Sequence, residues 1–291
     1  MLLCTRSKGE MFMQKHRFLC LLAVAVLAFG QAASADTGKN VSKNSVGYDV
    51  AGTDSRYKNK SKYPSFAASP KSDYADAIML LPAPPAENSK RFEVDKDVYR
   101  ENMKKYRGTR VWEEAKNAAK IDGESVAEFF SSAMGIKMSR STTPKLVYLI
   151  ENSLGDFLEP GNNAKRYYKR KRPFVYFDDR TCSTPDEDLK HERDGSYPSG
   201  YSTYGWGVAL ILTEINPKRS NQILETGLRM GQNRVICGFH WQSDVDWGRT
   251  LASYIVAELH TLDNFNKALA EAKEEFAKVS EEQKKSRIRS R

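Results

Sequence analysis

Long apolar runs, alternating strand patterns, cysteines and histidines are all scarce in this chain. The longest apolar stretch, Phe18 to Gly30, has 13 residues, short of the roughly 20 that a helix needs to span a bilayer. A membrane bundle is therefore excluded. With 18 glycines and 11 prolines among 291 residues, collagen and wholesale disorder are excluded as well. Scarce period-two alternation argues against sheets. What is present is ordinary globular composition, 40% hydrophobic and 29% charged, enough for one large domain or two small ones. The net charge is +9, of which Arg6, Lys8, Lys15 and Arg17 against Glu10 place +3 in the first 35 residues.

Lys15-His16-Arg17 precedes the apolar run, and Ala33-Ser34-Ala35 supplies small residues before Asp36. This is the pattern of a cleaved secretory signal over residues 1–35, and it predicts a periplasmic or secreted protein. The competing reading, an uncleaved anchor, needs a longer run. Translation from Met11 or Met13 rather than Met1 would leave the signal intact. Loss of the leader removes Cys4 and Cys20, so Cys182 and Cys237 are the two thiols that reach an oxidising compartment. If they pair, the bridge closes a loop of about 55 residues, worth roughly 4 kcal/mol in the chain-entropy account. The alternative is two buried thiols.

From 36 to 73 the chain is rich in Ser, Lys, Asn, Gly and Tyr without apolar periodicity, which predicts a polar, flexible leader. A helical domain is expected over 74–291. Ile78-Met79-Leu80-Leu81 runs into Pro82-Ala83-Pro84-Pro85, whose missing amide donors predict an extended approach to it. Helical patterns then follow one another. Val111, Trp112, Ala115, Ala118 and Ala119 share a face, as do Val126, Phe129, Phe130, Ala133 and Met134 before Gly135 stops the run. Thr143 and Pro144 make an N-cap and first-turn pair for a helix with Leu146, Ile150, Leu154 and Phe157 on one stripe. Further helices are expected from Ser202 to Ile215, from about Ser220 to Gly231 and from about Gln242 to Leu262. A tail helix carries apolar residues at 262, 265, 269, 272, 276 and 279 before a basic end. The fold class is all-α, a single-domain helical bundle.

Three clusters carry chemistry. Lys165-Arg166-Tyr167-Tyr168-Lys169-Arg170-Lys171-Arg172-Pro173 places six positive charges in eight residues before a proline that ends any helix at Arg172. Taken alone it reads first as a solvated basic face, with a nucleic-acid patch that uses the tyrosines for stacking as the competitor. Ser196-Tyr197-Pro198-Ser199-Gly200-Tyr201 precedes a helical stretch, so Ser199 and the next amides sit at a helix N-terminus, which favours an oxyanion. In the third, His240 and Asp244 stand four apart and would face one another on a helix. The carboxylate then fixes the imidazole tautomer and leaves the other nitrogen able to attack.

Lys-x6-Arg-Pro, Pro-Ser-Gly and Arg-x5-His-x3-Asp occur here in one order. Together they resemble the signature of the phosphatidic acid phosphatase type 2 superfamily. Leu81-Pro82-Ala83-Pro84-Pro85, Gly195 to Gly200 and Val235-Ile236-Cys237-Gly238 with His240 to Asp246 resemble its class A bacterial non-specific acid phosphatases. The likeness covers about residues 74 to 262, and Cys182 and Cys237 fall where that class has cysteines. The resemblance implies the helical bundle shared with the vanadium haloperoxidases and a phosphomonoesterase acting on small phosphate esters. It assigns Lys165, Arg172 and Arg234 to the phosphate oxygens, with Ser199 and the Gly200 amide completing the cradle. His240 becomes the nucleophile that forms a phosphohistidine, and Asp244 orients it. No metal or other cofactor is implied, and no nucleic-acid partner; association into a homo-oligomer is left open.

Two positions depart from the signature. Asn233 replaces a serine before Arg234 and retains hydrogen-bonding capacity. Tyr201 stands where the family has the histidine that protonates the leaving oxygen. A phenol with an ordinary pKa near 10 is a poor acid for that task, and general acid catalysis is worth about 10² to 10⁴ in rate. The expectation is turnover that favours phenolic over alkyl esters, with Tyr201→His raising alkyl hydrolysis roughly tenfold or more. The competing readings are a catalytically impaired phosphate- or phospho-ligand-binding protein on the same fold, a basic nucleic-acid module, and a vanadate-binding oxidase. His191, ten residues before Tyr201, is expected in an exposed charged loop, the alternative being that it folds over the site, and His260 at a helix end or on the surface; neither is assigned a role.

Overall fold

The computed structural model describes residues 63–67, 76–118 and 120–289. The expected signal segment, most of the leader and Ala119 lie outside the described residues. All of the described residues belong to one compact unit, Ala51–Arg291. Among them are helices and connecting turns and no strand, so the bundle is all-α as its periodicities predict.

The run at 78–81 differs from the extended approach expected. Asp76 accepts from the Ile78 amide at 2.8 Å and closes one helical turn, α1 (Ala77–Leu80), and the backbone extends only from Leu81. The prolines act downstream of an aspartate cap. The Tyr197 hydroxyl then donates to the Pro82 carbonyl at 2.7 Å, tying this stretch to the segment before the central helix. α2 (Lys90–Tyr106) was not anticipated: its buried residues are Phe92, Asp95 and Tyr99, a stripe too sparse and too polar to register as apolar period. In α3 (Arg110–Asn117), Trp112 and Ala115 are buried, but Val111 of the expected face is exposed. α4 (Gly123–Met134) stops at Gly135, which takes the left-handed conformation at φ 76°, as expected.

The helix expected to run from Pro144 past Phe157 is two, α5 (Pro144–Asn152) and α6 (Leu154–Tyr168). At the break, the Ser153 hydroxyl donates to the Ile150 carbonyl at 2.8 Å, a local bond that competes with helix continuation. Thr143 occupies the N-cap position but makes no capping bond, because its hydroxyl turns to Ser139. The amides of Lys145 and Leu146 donate instead to the Glu275 carboxylate at 3.0 and 2.9 Å. Glu275 belongs to α12 (Asp263–Arg289), the tail helix, which packs along α5 with Phe265, Leu269 and Ala272 buried and Phe276 and Val279 half-buried, as is Leu262 just ahead of it.

α7 (Pro173–Tyr176) and α8 (Pro185–His191) are short helices on the way to α9 (Gly200–Ile215). Tyr204, Val208, Ala209, Ile211 and Leu212 make α9 apolar on nearly every side, so it can only be central. α10 (Ser220–Ile236), which continues past the expected stop at Gly231, and α11 (Gln242–Leu259) pack on it, with α6 on another flank. Cys182 and Cys237 form a disulfide that joins the chain ahead of α8 to the end of α10 and packs on Trp112. Residues 63–67, expected within a flexible leader, are packed on the bundle. Phe66 is buried edge-on to Phe265, and Ser65 Oγ and the Phe66 and Ala67 amides all donate to Asp156 of α6. One aromatic and one buried carboxylate supply what composition alone did not suggest.

Candidate active site

The amides of Phe239 and His240 both donate to the Arg234 carbonyl, at 2.9 and 3.2 Å, so the chain doubles back after α10 and sets Arg234 beside His240. His240 and Asp244 do not face one another along a helix, as their spacing suggested. Trp241 is the N-cap of α11, and His240 precedes it. Asp244, in the first turn, reaches back across the helix start, accepting from the Trp241 amide at 3.0 Å and lying 3.3 Å from His240 Nδ1. The i,i+4 pair is thus a capping contact rather than a rung of helix.

A carboxylate accepts only, so Nδ1 carries the ring proton, and Nε2 keeps its lone pair 3.1 Å from Arg172 Nη1. Burial, then the Arg172 cation, brings the imidazole pKa down to about 3. The ring is therefore neutral at mildly acidic and neutral pH. Burial pushes the Asp244 pKa up, but Arg170, His240 and the Trp241 amide outweigh it and hold the carboxyl at about 2.

Asp244 is pinned by a charge network that apolar periodicity does not reveal. Arg170 Nη1 lies 2.5 Å from Asp244, and its Nη2 lies 2.7 Å from Asp95 on α2. Asp95 also accepts from the Ser243 amide and hydroxyl. All three ions are buried, so removing any one strands a charge out of water. The sequence signal for Asp95 was a carboxylate on the stripe shared by Phe92 and Tyr99.

The basic run is divided by its backbone. α6 ends at Tyr168, with Lys169 left-handed at φ 46°, four residues ahead of the expected stop at Arg172. Beyond it the side chains alternate: Arg170 and Arg172 are buried, whereas Lys169 and Lys171 are exposed, as is Arg166. The six charges are therefore not one solvated face.

Lys165, Arg172 and Arg234 come together with the start of α9. A Cβ added at Gly200 would lie 3.6 Å from Lys165 Nζ. Ser199 caps α9 through its hydroxyl, and its amide donates to the Asp244 carbonyl at 2.9 Å. Lys165 is half-buried, and loss of water around its ammonium, with repulsion from Arg172, lowers its pKa to about 7. Burial is likewise the main cause for Arg172, which falls to about 10, and for Arg234, which is also lowered. Arg172 donates to the Phe239 and Gly195 carbonyls. Among the described residues, Arg172 Nε and Arg234 Nε and Nη1 are buried without an acceptor.

Aromatic rings complete the walls. The Arg234 guanidinium lies between Tyr201 and Phe239, 4.5 and 4.3 Å from the ring centroids, and Arg172 lies 4.7 Å from Phe239. Tyr201 therefore backs a cation. His191 is not in a loop: it is the last residue of α8, half-buried, with its ring edge-on to Phe239 at 5.3 Å. His260 caps the end of α11 and bonds Glu214 at 2.8 Å. Every residue singled out for the site is thus in one cluster. Asp95, Arg170, Phe239, Ser243 and His191 join it from outside that selection.

A cluster of largely desolvated cations facing a neutral, carboxylate-oriented imidazole at a helix N-terminus in an all-α bundle is chemically suited to hold a tetrahedral anion. The PAP2 superfamily pattern matches residues 146–267. The chain is 42% identical over 205 residues to a non-specific acid phosphatase of Providencia stuartii, covering 70% of this chain and 82% of the relative. It is 39% identical over 200 residues to a non-specific acid phosphatase of Salmonella typhimurium, covering 67% and 78%. An acid phosphatase of Zymomonas mobilis is 30% identical over 265 residues, 90% of this chain and 91% of the relative. The chain belongs to the bacterial non-specific acid phosphatases of the PAP2 superfamily.

Proposed function

We propose that this phosphatase hydrolyses small phosphate monoesters through a phosphohistidine on His240, in the periplasm or outside the cell. Arg234 is the observation that supports this most. A buried guanidinium with donors lacking acceptors is costly unless an anion takes them, and the neighbouring Lys165, Arg172 and α9 start match the remaining oxygens of a phosphate. His240 Nε2 attacks phosphorus in line as the bond to the ester oxygen breaks. Asp244 balances the positive charge that develops on the ring. Water then attacks phosphorus, the N–P bond breaks and inorganic phosphate leaves. Lys165, Arg172 and Arg234 stabilise the charge on the equatorial oxygens, with Ser199 and the Gly200 amide. Such a mechanism requires no metal. Protonation of the leaving oxygen from position 201 is weak, because Tyr201 offers a phenol there.

Phosphate release from phenyl and alkyl esters across acidic pH, compared with His240→Ala, tests this reading. Release should fall to background in the variant, and acid-labile label should be trapped on His240 of the native enzyme. Release that survives His240→Ala overturns the nucleophile. Thermal protection by inorganic phosphate without any release would mean a phosphate-binding protein instead. Cell fractionation checks export: the chain should appear outside the cytoplasm, shortened at Ala35.

A further inference from the structure

Resting on the phosphohistidine reading, we propose that His191 is the acid that protonates the leaving oxygen, taking over the work that position 201 does poorly. Four groups border a single phenyl ring. The rings of His191 and His240 lie 5.3 and 5.9 Å from the Phe239 ring, and the Arg172 and Arg234 guanidinium groups lie 4.7 and 4.3 Å from it. The segment after His191 is bound to the same cradle, since Arg172 Nη2 donates to the Gly195 carbonyl and the Ser196 amide donates to the Arg170 carbonyl at 2.9 Å. His191 thus stands at the rim of the phosphate cradle rather than on a remote surface.

A carboxylate holds the His191 ring at Nδ1. Asp194 Oδ2 lies 2.9 Å from Nδ1, which keeps the proton there when the ring is neutral and leaves Nε2 to titrate. Nε2 is 3.7 Å from Glu187 Oε2, beyond hydrogen-bond length but within ion-pair reach when the ring is protonated. This repeats, at the rim, the carboxylate-to-Nδ1 arrangement of Asp244 and His240. Tyr201, meanwhile, is engaged with its ring against Arg234, a use that calls for an aromatic and not for an acid.

The charges that face His191 are Arg172, Asp194 and Glu187. Burial and Arg172 lower its pKa from the ordinary 6.5, while the two carboxylates pull the other way. A phosphate dianion beside Arg172 opposes the cation's effect, so substrate binding favours the protonated ring. In the first step the Nε2 proton passes to the ester oxygen as the P–O bond breaks and the N–P bond to His240 forms, and a neutral alcohol leaves. In the second, neutral His191 takes a proton from the water that attacks phosphorus as the N–P bond breaks. Inorganic phosphate departs, and both histidines are restored.

The experiment compares the full-length secreted enzyme with His191→Asn and His191→Gln on 4-nitrophenyl phosphate and glycerol phosphate. Alkyl-ester kcat/KM should fall about 10²-fold, within the range of a lost general acid, with a loss at least about tenfold smaller on the nitrophenyl ester, whose leaving group needs little protonation. Tyr201→His added to His191→Asn should recover alkyl turnover. In the native enzyme, alkyl turnover should fall as pH rises through the His191 pKa, more steeply than nitrophenyl turnover. Equal losses on both esters, no loss, or matching pH profiles would overturn the role of His191 while leaving His240 in place. Native enzyme that releases no phosphate, indifferent to His240→Ala, would instead overturn the reading on which this rests.

Discussion

His240 shows how surroundings shift the titration of an ordinary side chain. Its folded pKa of about 3 compares with roughly 6.5 in an unfolded chain. Between these values the unfolded state binds a proton that the folded state refuses, so stability rises with pH across this window and is lost as pH falls from about 6.5 toward 3. His240→Asn should flatten the pH dependence of the urea unfolding free energy in that window by about one proton, or roughly 1.4 kcal/mol per pH unit. An unchanged slope would mean that the imidazole is solvated. At this scale the resemblance to the family signature pointed to Lys165, Arg172, Ser199, Gly200, Arg234, His240 and Asp244, which the fold brings together. Asp95 stayed hidden because it comes from a helix with little apolar periodicity, α2, and meets the site only through space, whereas His191 stood out as a histidine but owes its place beside Phe239 to the fold.

Helix boundaries were decided by partners far along the chain. Thr143 and Pro144 begin α5 where local chemistry predicts, yet its first amides are capped by Glu275, about 130 residues on. Glu275→Ala should cost about 1 kcal/mol, as a lost cap does, and lower the melting temperature by about 2–4 °C in calorimetry. Glu275→Gln, which keeps one acceptor, should cost less. The left-handed Lys169 ends α6 early for a similar reason. Arg170 and Arg172 have buried partners on α2, α11 and the loop before His240, and a helix continuing to Arg172 would turn one of them away. Stripes such as that of α12 were legible because burial on one side needs nothing but apolar spacing. The break at Ser153 was not, since serine is compatible with both outcomes.

Across the whole molecule, the segment at 63–67 and the tail helix meet on α5 and α6. Phe66 packs edge-on to Phe265 and Tyr148, and Asn264 donates to the Phe66 carbonyl at 2.8 Å. Phe66→Ala should therefore destabilise the bundle by about 3–5 kcal/mol, as buried phenylalanine truncations do, measured by urea unfolding. A change below about 1 kcal/mol would mean that this segment is not part of the cooperative unit.

By itself the sequence determined the all-α class, the amphipathic tail and the three stretches that the fold brings together. Each of these depends on residue type and on spacing over a few turns. Tertiary structure alone decided which of six neighbouring cations turn inward, that His240 meets Asp244 at a helix cap, that Asp95 and Arg170 hold that carboxylate, and that His191 reaches the rim. Those outcomes depend on desolvation and on charges brought together from distant segments, and neither is defined until the chain has folded.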